Sequence, residues 1–255
     1  MIVVFDLGNS DLSFGVFKDD HLIASFRTSS DRRRSVDEYA NIIRGLLFSK
    51  GVNAEKVEGT ILSSVVPQLS KVLSSAIKRA FGKETMLLGP GCKTGLKIRA
   101  DNPNEVGSDL VAVCVGAMKH YKLPIVIVDF GTATKILGIN SSGLYCGVAI
   151  LPGVKSSAEG LVSIASQLPH ISLVKPKKVL GTNTVDAMNS GLVYGNASMA
   201  DGMIRKYERE MGEKCTRLLT GGLASTISVA MEEEHILDKN LVLYGLFEIF
   251  QRNRK

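Results

Sequence analysis

"IVIVDFGTATKILGI", residues 125–139, decides how the rest of the chain is read. Four apolar residues run into an acid, Asp129, then Gly131 and two threonines follow, and the chain turns apolar again. A short apolar run closed by a glycine turn reads as a buried strand carrying a carboxylate at its tip. "IVVFDLGNSDLSFGV", residues 2–16, repeats the arrangement at a constant offset: Asp6 matches Asp129, Gly8 matches Gly131, and Gly15 matches Gly138. Such self-similarity implies a duplicated unit. Each half is expected to open with a hairpin, and the two acids to face each other across a central cleft.

The segments between the hairpins alternate strands with helices, which makes the fold class α/β. "SVDEYANIIRGLLFSKG" reads as a helix, with Ser35 and Glu38 as a capping box. Tyr39, Ile42, Ile43, Leu46 and Leu47 form its apolar stripe, and Gly51 ends it. Further helices are predicted over 69–81, from Asp109, and near 154–166, 184–211, 221–231 and 239–252. Strands are predicted in "HLIASFRTSS", "VEGTILSSVVP", "TMLLG" and "CTRLLT". The halves are expected to divide as 1–116 and 117–255.

Composition narrows the function classes. The 255 residues are 45% hydrophobic and 22% charged, ample for a sizeable core. No apolar run approaches the roughly 20 residues of a membrane span. No basic segment precedes an apolar stretch at the start, so no signal peptide is expected. Cys92, Cys114, Cys146 and Cys215 lack metal-ligand spacing, which points to reduced thiols and a cytoplasmic protein. The net charge of +6 gathers partly in Arg32–Arg34 and in Lys175, Lys177 and Lys178. These clusters could draw a polyanion, but solvated loop charge is the simpler reading. No aromatic residues interleave them, so no nucleic-acid partner is expected.

The turns suit phosphate chemistry. Gly8 allows close approach of backbone N–H groups, and Asn9 and Ser10 add donors. Asp6 is placed to hold Mg²⁺ through water. "DFGTAT" offers the same kit, with Asp129 for a cation and Thr132 and Thr134 as hydroxyl donors. A third glycine-rich element, "TGGLA" at 220–224, could lie flat against a base or ribose. Each turn alone is explained by ordinary turn chemistry; two matched copies and a third loop favour a nucleotide site.

Along nearly its whole length the chain resembles type III pantothenate kinases, within the superfamily of acetate and sugar kinases, Hsp70 and actin. The resemblance rests on "DLGNS", "RTSSDRRRSVDEY", "SSVVP", "DNPNEVGSDL", "DFGTAT", "GVAILPG", "LGTNTVDAMNSG", "TGGLA" and "LVLYGL", in that order. It implies duplicated ribonuclease H-like (actin-like ATPase) domains, and ATP-dependent phosphorylation of pantothenate to 4'-phosphopantothenate, the first step of coenzyme A biosynthesis. It implies that Asp6, Leu7, Gly8, Asn9, Ser10, Asp11, Leu12 and Ser13 bind ATP with Thr132, and that Asp109 is the general base. Ala100, Gly107, Ser108, Asp109, Leu110 and Thr184 would border the pantothenate. Asp129 would bind a monovalent cation, potassium or ammonium, beside Mg²⁺ with ATP. A homodimer would complete the substrate pocket.

Four positions depart from the family pattern. Leu110 stands where the family has an Arg that clamps the substrate carboxylate, and Ala100 where it usually has Tyr. Lys135 replaces a usual Thr, and Asp11 a usual Asn. A guanidinium makes two parallel bonds to a carboxylate that no leucine imitates. Lys135, Lys97 and Arg99 are candidate replacements, each also readable as surface charge. The alternative function is therefore an altered relative, either a nucleotide-binding regulatory (transcription-accessory) protein or a kinase for another small alcohol.

Overall fold

A computed structural model describes residues 1–254, with Asn104 described by its backbone alone. The chain forms two compact units. The first holds Met1–Leu96, Asp101–His120 and the stretch from Leu241 onward; the second holds Lys97–Ala100 and Tyr121–Asn240.

The first unit is built on five strands. They are β1 (Ile2–Leu7), β2 (Asp11–Lys18), β3 (His21–Ser29), β4 (Gly59–Ser64) and β5 (Met86–Leu87), in the order β3-β2-β1-β4-β5. β2 runs antiparallel to both β1 and β3, whereas β1, β4 and β5 are parallel. Period-two alternation sends Phe5 and Phe14 to one face, where their rings stack at 5.2 Å. Helices α1 (Val36–Ser49) and α2 (Pro67–Phe81) cover that face with Tyr39, Ile43, Leu73 and Ile77. The capping box starts α1 as expected, because Ser35 and Glu38 satisfy each other's backbone amides. Pro67 opens α2, where a missing N–H costs nothing, and Gly82 closes it at φ 70°.

On the opposite face Phe17 stacks on Phe247 at 4.3 Å. Phe247 belongs to α7 (Leu241–Asn253), which crosses α3 (Ser108–His120) at contact distance. A Cβ on Gly245 would lie 1.7 Å from the Ala112 carbonyl, and one on Gly116 would lie 2.1 Å from that of Leu241. This backbone-to-backbone crossing groups the last helix with the first strands. The compact units are therefore discontinuous in sequence, where the expected halves were contiguous.

The second unit repeats the plan. Strands β7 (Ile125–Phe130), β8 (Ala133–Ile139), β9 (Leu144–Pro152), β10 (Thr216–Thr220) and β11 (Ile236–Leu237) take the order β11-β10-β7-β8-β9. β6 (Lys97–Ile98) adds to the free edge of β9. Strand directions match the first unit one for one. The duplication inferred from the sequence is thus present as topology. Its sheet is backed by α5 (Thr184–Met211), whose Val193, Ala197 and Ile204 meet Val126, Val128 and Phe130. α4 (Val154–Ile164) and the short α6 (Ala224–Ser228) complete the unit.

Two details differ from expectation. The helix predicted near 221–231 contracts to α6, because Gly221 sits at φ +94° in a turn that precedes it. The matching of Gly15 with Gly138 fails in the fold. Gly15 pairs with Val4 and Gly138 with Val126, and these lie on opposite faces relative to the acids.

Candidate active site

In the first hairpin, Asp6 is the penultimate residue of β1, its side chain half-buried, directly across from Ser13. The turn after it is pinned at several points. Gly8 N–H donates to the Asp11 carbonyl at 2.9 Å, and a Cβ at Gly8 would lie 3.3 Å from that oxygen. Ser30, just past β3, donates its N–H to the Ser10 carbonyl at 2.9 Å and its hydroxyl to the Gly8 carbonyl at 2.8 Å. With those carbonyls engaged, the turn is held in one shape. Leu7 and Leu12 have their side chains in the core, which leaves only their backbone groups for a ligand. Asn9, Ser10 and Asp11 are exposed. Arg27 stands 3.9 Å from the Asp11 carboxylate, so the added negative charge has a partner.

β4 links this hairpin to the proposed base. Ser63 is the register partner of Asp6, and its hydroxyl lies 3.0 Å from that of Ser108, the first residue of α3. Ser108 also donates to the Ser64 carbonyl at 3.3 Å. Asp109 therefore sits in the first turn of a helix tied to the end of a buried strand, favourable for a carboxylate. α3 begins one residue earlier than predicted, at Ser108, so Asp109 lies within its first turn. Gly107 leaves room for Asp109, whose Oδ1 would lie 2.5 Å from a Cβ there. Leu110 is buried at 6% exposure, packed as a core residue of α3.

The second hairpin has its own clasp. Ser156 of α4 donates to the Thr132 carbonyl at 3.1 Å. A Cβ on Gly153 would meet that same carbonyl at 2.2 Å. Asp129, the penultimate residue of β7, lies directly across from Lys135 on β8, and Lys135 Nζ lies 2.9 Å from Asp129 Oδ2. Lys135 is thus no surface charge, contrary to the simplest reading of it. Gly221 approaches the same carboxylate: a Cβ there would lie 2.4 Å from Asp129 Oδ1 and 2.7 Å from the Phe130 carbonyl. Gly221 of "TGGLA" thus allows this loop to approach the β7 tip closely. Thr132 is exposed, and the buried Thr134 hydroxyl lacks a hydrogen-bond partner.

The remaining site residues divide between the units. Ala100, partly buried, lies in the second. Thr184, exposed, opens α5 after the Asn183 cap, whose Oδ1 accepts from Asp186 N–H at 2.9 Å. Three of the six residues in the basic clusters have structural partners. Arg33 pairs with Asp31, Arg34 bonds the Ser29 carbonyl and stands over Tyr39, and Lys175 bonds the Val229 carbonyl. The Arg33 hydrogen bonds hold the Asp31 carboxyl down at about 2. Among the described residues no three His, Cys, Asp or Glu side chains gather as a metal cluster.

Sequence reasoning missed the Ser30, Ser156 and Ser63–Ser108 ties. All three are long-range contacts made by commonplace residues, so no local signal marked them. The Asp129–Lys135 pair was legible in principle. Three residues, Gly131–Ala133, lie between the paired Phe130 and Thr134, and that spacing sets Asp129 opposite Lys135.

The fold is that of the actin-like sugar-kinase group. The chain aligns over 98% of its length with 98% of a Baf family transcriptional activator structure from Campylobacter jejuni, at TM-score 0.63 and 20% identity. It aligns equally far with a 2-dehydro-3-deoxygalactonokinase structure from Sinorhizobium meliloti, at TM-score 0.56 and 12% identity. At those identities the likeness is one of fold alone. The sequence comparisons go further. The family model described as type III pantothenate kinase matches residues 2–206. Proteins named type III pantothenate kinase from Brevibacillus brevis and Halalkalibacterium halodurans are 39% and 40% identical, over 100% and 99% of this chain and 100% of each relative. The chain belongs to the type III pantothenate kinase family.

Proposed function

We propose that this chain transfers the γ-phosphoryl group of ATP to the primary hydroxyl of pantothenate, which yields 4'-phosphopantothenate for coenzyme A synthesis. The observation that carries the reading is identity near 40% along the full length of proteins bearing that name. Phosphoryl transfer is carried by positioning and charge neutralisation, and the pinned hairpin turns suit that work. The loop from Asp6 to Ser13, with Thr132, takes the ATP phosphates through backbone and hydroxyl donors. Asp109 accepts the hydroxyl proton as that oxygen attacks phosphorus. Ala100, Gly107, Ser108, Leu110 and Thr184 border the alcohol substrate.

A divalent metal, Mg²⁺ by preference, would accompany ATP and neutralise phosphate charge. Asp6 fits it: a half-buried carboxylate near a strand end suits a hard cation that keeps most of its waters. The partner copy completes the substrate pocket in a homodimer. Exposed Leu161, Ile164, Val174, Val179, Leu180 and Val185, from α4 to the start of α5, are apolar side chains available to it. No helix of the described residues is long and apolar enough to cross a membrane, in keeping with a cytoplasmic enzyme.

The test is a coupled ADP-release assay with ATP, Mg²⁺ and pantothenate. Turnover is expected, and Asp109→Asn is expected to lower kcat by roughly 10²- to 10⁴-fold with little change in ATP affinity. Tight ATP binding without turnover on pantothenate would overturn the reading.

A further inference from the structure

The Asp129 carboxylate is neutralised from within the fold. Cross-strand register sets Lys135 directly opposite it, so both side chains leave the same face of the sheet. Their charged atoms meet at 2.9 Å, with the side chains only 17% and 13% exposed. The other carboxylate oxygen is crowded by the Gly221 turn. A carboxylate removed from water demands about one compensating positive charge. Once an ammonium supplies it, a second cation at contact distance is repelled by the first and gains little. These residues do not fit a potassium or ammonium ion bound at Asp129, as the family resemblance implied.

We propose that Lys135 supplies, by covalent attachment, the positive charge that Asp129 requires, so that the chain needs no monovalent cation there. The ε-ammonium is in effect an ammonium ion tethered to β8. Lys135 is a positioning residue. It fixes Asp129 and, with it, the short turn that carries Thr132. The kinetic part of the test rests on the phosphotransfer reading above; the ion-binding part does not.

The full chain, Lys135→Thr and Lys135→Gln are compared with tetramethylammonium as the inert cation, at matched ionic strength. Potassium or ammonium is expected to change wild-type turnover by less than about twofold. Without either ion, Lys135→Thr is expected to fall roughly tenfold to a hundredfold, as loss of a charged hydrogen bond implies, and to recover when either is added. Thallium NMR, with thallium(I) as the potassium surrogate, supplies the second readout: no binding to wild type, stoichiometric binding to Lys135→Thr. Lys135→Gln keeps the stem and serves if the threonine variant folds poorly. If neither folds, the wild-type response decides.

Three results would overturn the proposal. One is wild-type turnover stimulated about tenfold or more by potassium, far beyond any screening effect. Another is thallium binding to wild type that Asp129→Asn abolishes. The third is a Lys135→Thr variant with a raised KM for pantothenate and no response to cations, which would make the lysine a clamp for the substrate acid. If no alcohol is phosphorylated at all, the kinase reading falls while the thallium measurement still judges Lys135.

Discussion

The two hairpins share strand order, direction and a terminal carboxylate, yet differ where the chain reverses. β1 and β2 are joined by residues 8–10, β7 and β8 by residues 131–132. One residue fewer shifts every cross-strand pair by one position. Asp6 therefore meets Ser13, and Asp129 meets Lys135. Gly15 ends up under Leu22 and Leu243 on the acid-bearing face, whereas Gly138 lies against Tyr207 and Met211 on the other. Because side chains alternate with period two, a single deletion re-addresses a whole strand without disturbing the ladder. Duplication is preserved in the sheets, while the chemistry at each tip is set by the length of its turn.

The sharpest way to break this comparison is to make the same change at both tips. Asp129→Asn removes the counter-charge of a mostly buried lysine, which is expected to cost about 3 kcal/mol in urea denaturation. Across the ladder Asp6 is paired with Ser13, and Asp6→Asn is expected to cost less, under about 1.5 kcal/mol, as for an ordinary hydrogen bond. Its main effect is expected on turnover. Equal losses of stability from the two variants would show that the hairpins are electrostatically alike after all.

A steric version of the same contrast is smaller. Gly221→Ala forces a Cβ to 2.4 Å from Asp129 Oδ1 at a residue with φ +94°. Left-handed strain and overpacking together are expected to cost about 2–3 kcal/mol, read from the urea midpoint. Gly8→Ala brings its Cβ only to 3.3 Å from the Asp11 carbonyl, at a residue without positive φ. It is expected to cost less than about 1 kcal/mol, toward the mild end of overpacking. The first hairpin's turn tolerates a methyl group, and the second hairpin's neighbour does not.

Much of this architecture was legible because it is local. The capping box, the period-two strands and the paired "DLG" and "DFG" tips are each specified within a few residues. The helix predicted near 184–211 coincides with α5, which Asn183 caps at its start and Gly212 at its end. Discontinuity of the first unit was not legible, because the Gly116–Gly245 crossing joins positions far apart in the chain. Nor was the burial of Leu110, since a leucine in a helix's first turn reads equally as core or as pocket. The lone clue to Lys135 was arithmetic across a turn, and constant-offset matching of the two copies concealed it by assuming equal turns.

The units should also part company in acid, by a margin smaller still. In the second, Glu208 of α5 is 6% exposed and accepts two hydrogen bonds from Arg217 of β10, at 3.0 and 3.1 Å. Burial pushes its carboxyl up, but Arg217, the Cys215 amide and Lys214 outweigh that, and the net shift is downward. A carboxyl held lower in the folded state gives stability that is present above its unfolded value and lost as pH falls through the folded one. Asp31, Glu38 and Glu58 of the first unit are likewise held low, but they bond their partners at the surface, where solvent screens them. Glu208→Gln is therefore expected to destabilise the chain by about 1.5 kcal/mol at pH 7, the lower end for a charged hydrogen bond. The difference from wild type should shrink as the pH drops below about 4, the range of a free glutamate. Hydrogen exchange through that pH window should show β10 and α5 opening before β1 and α1. Simultaneous opening, or a Glu208→Gln penalty that persists at low pH, would mean that this ion pair does not set the second unit apart.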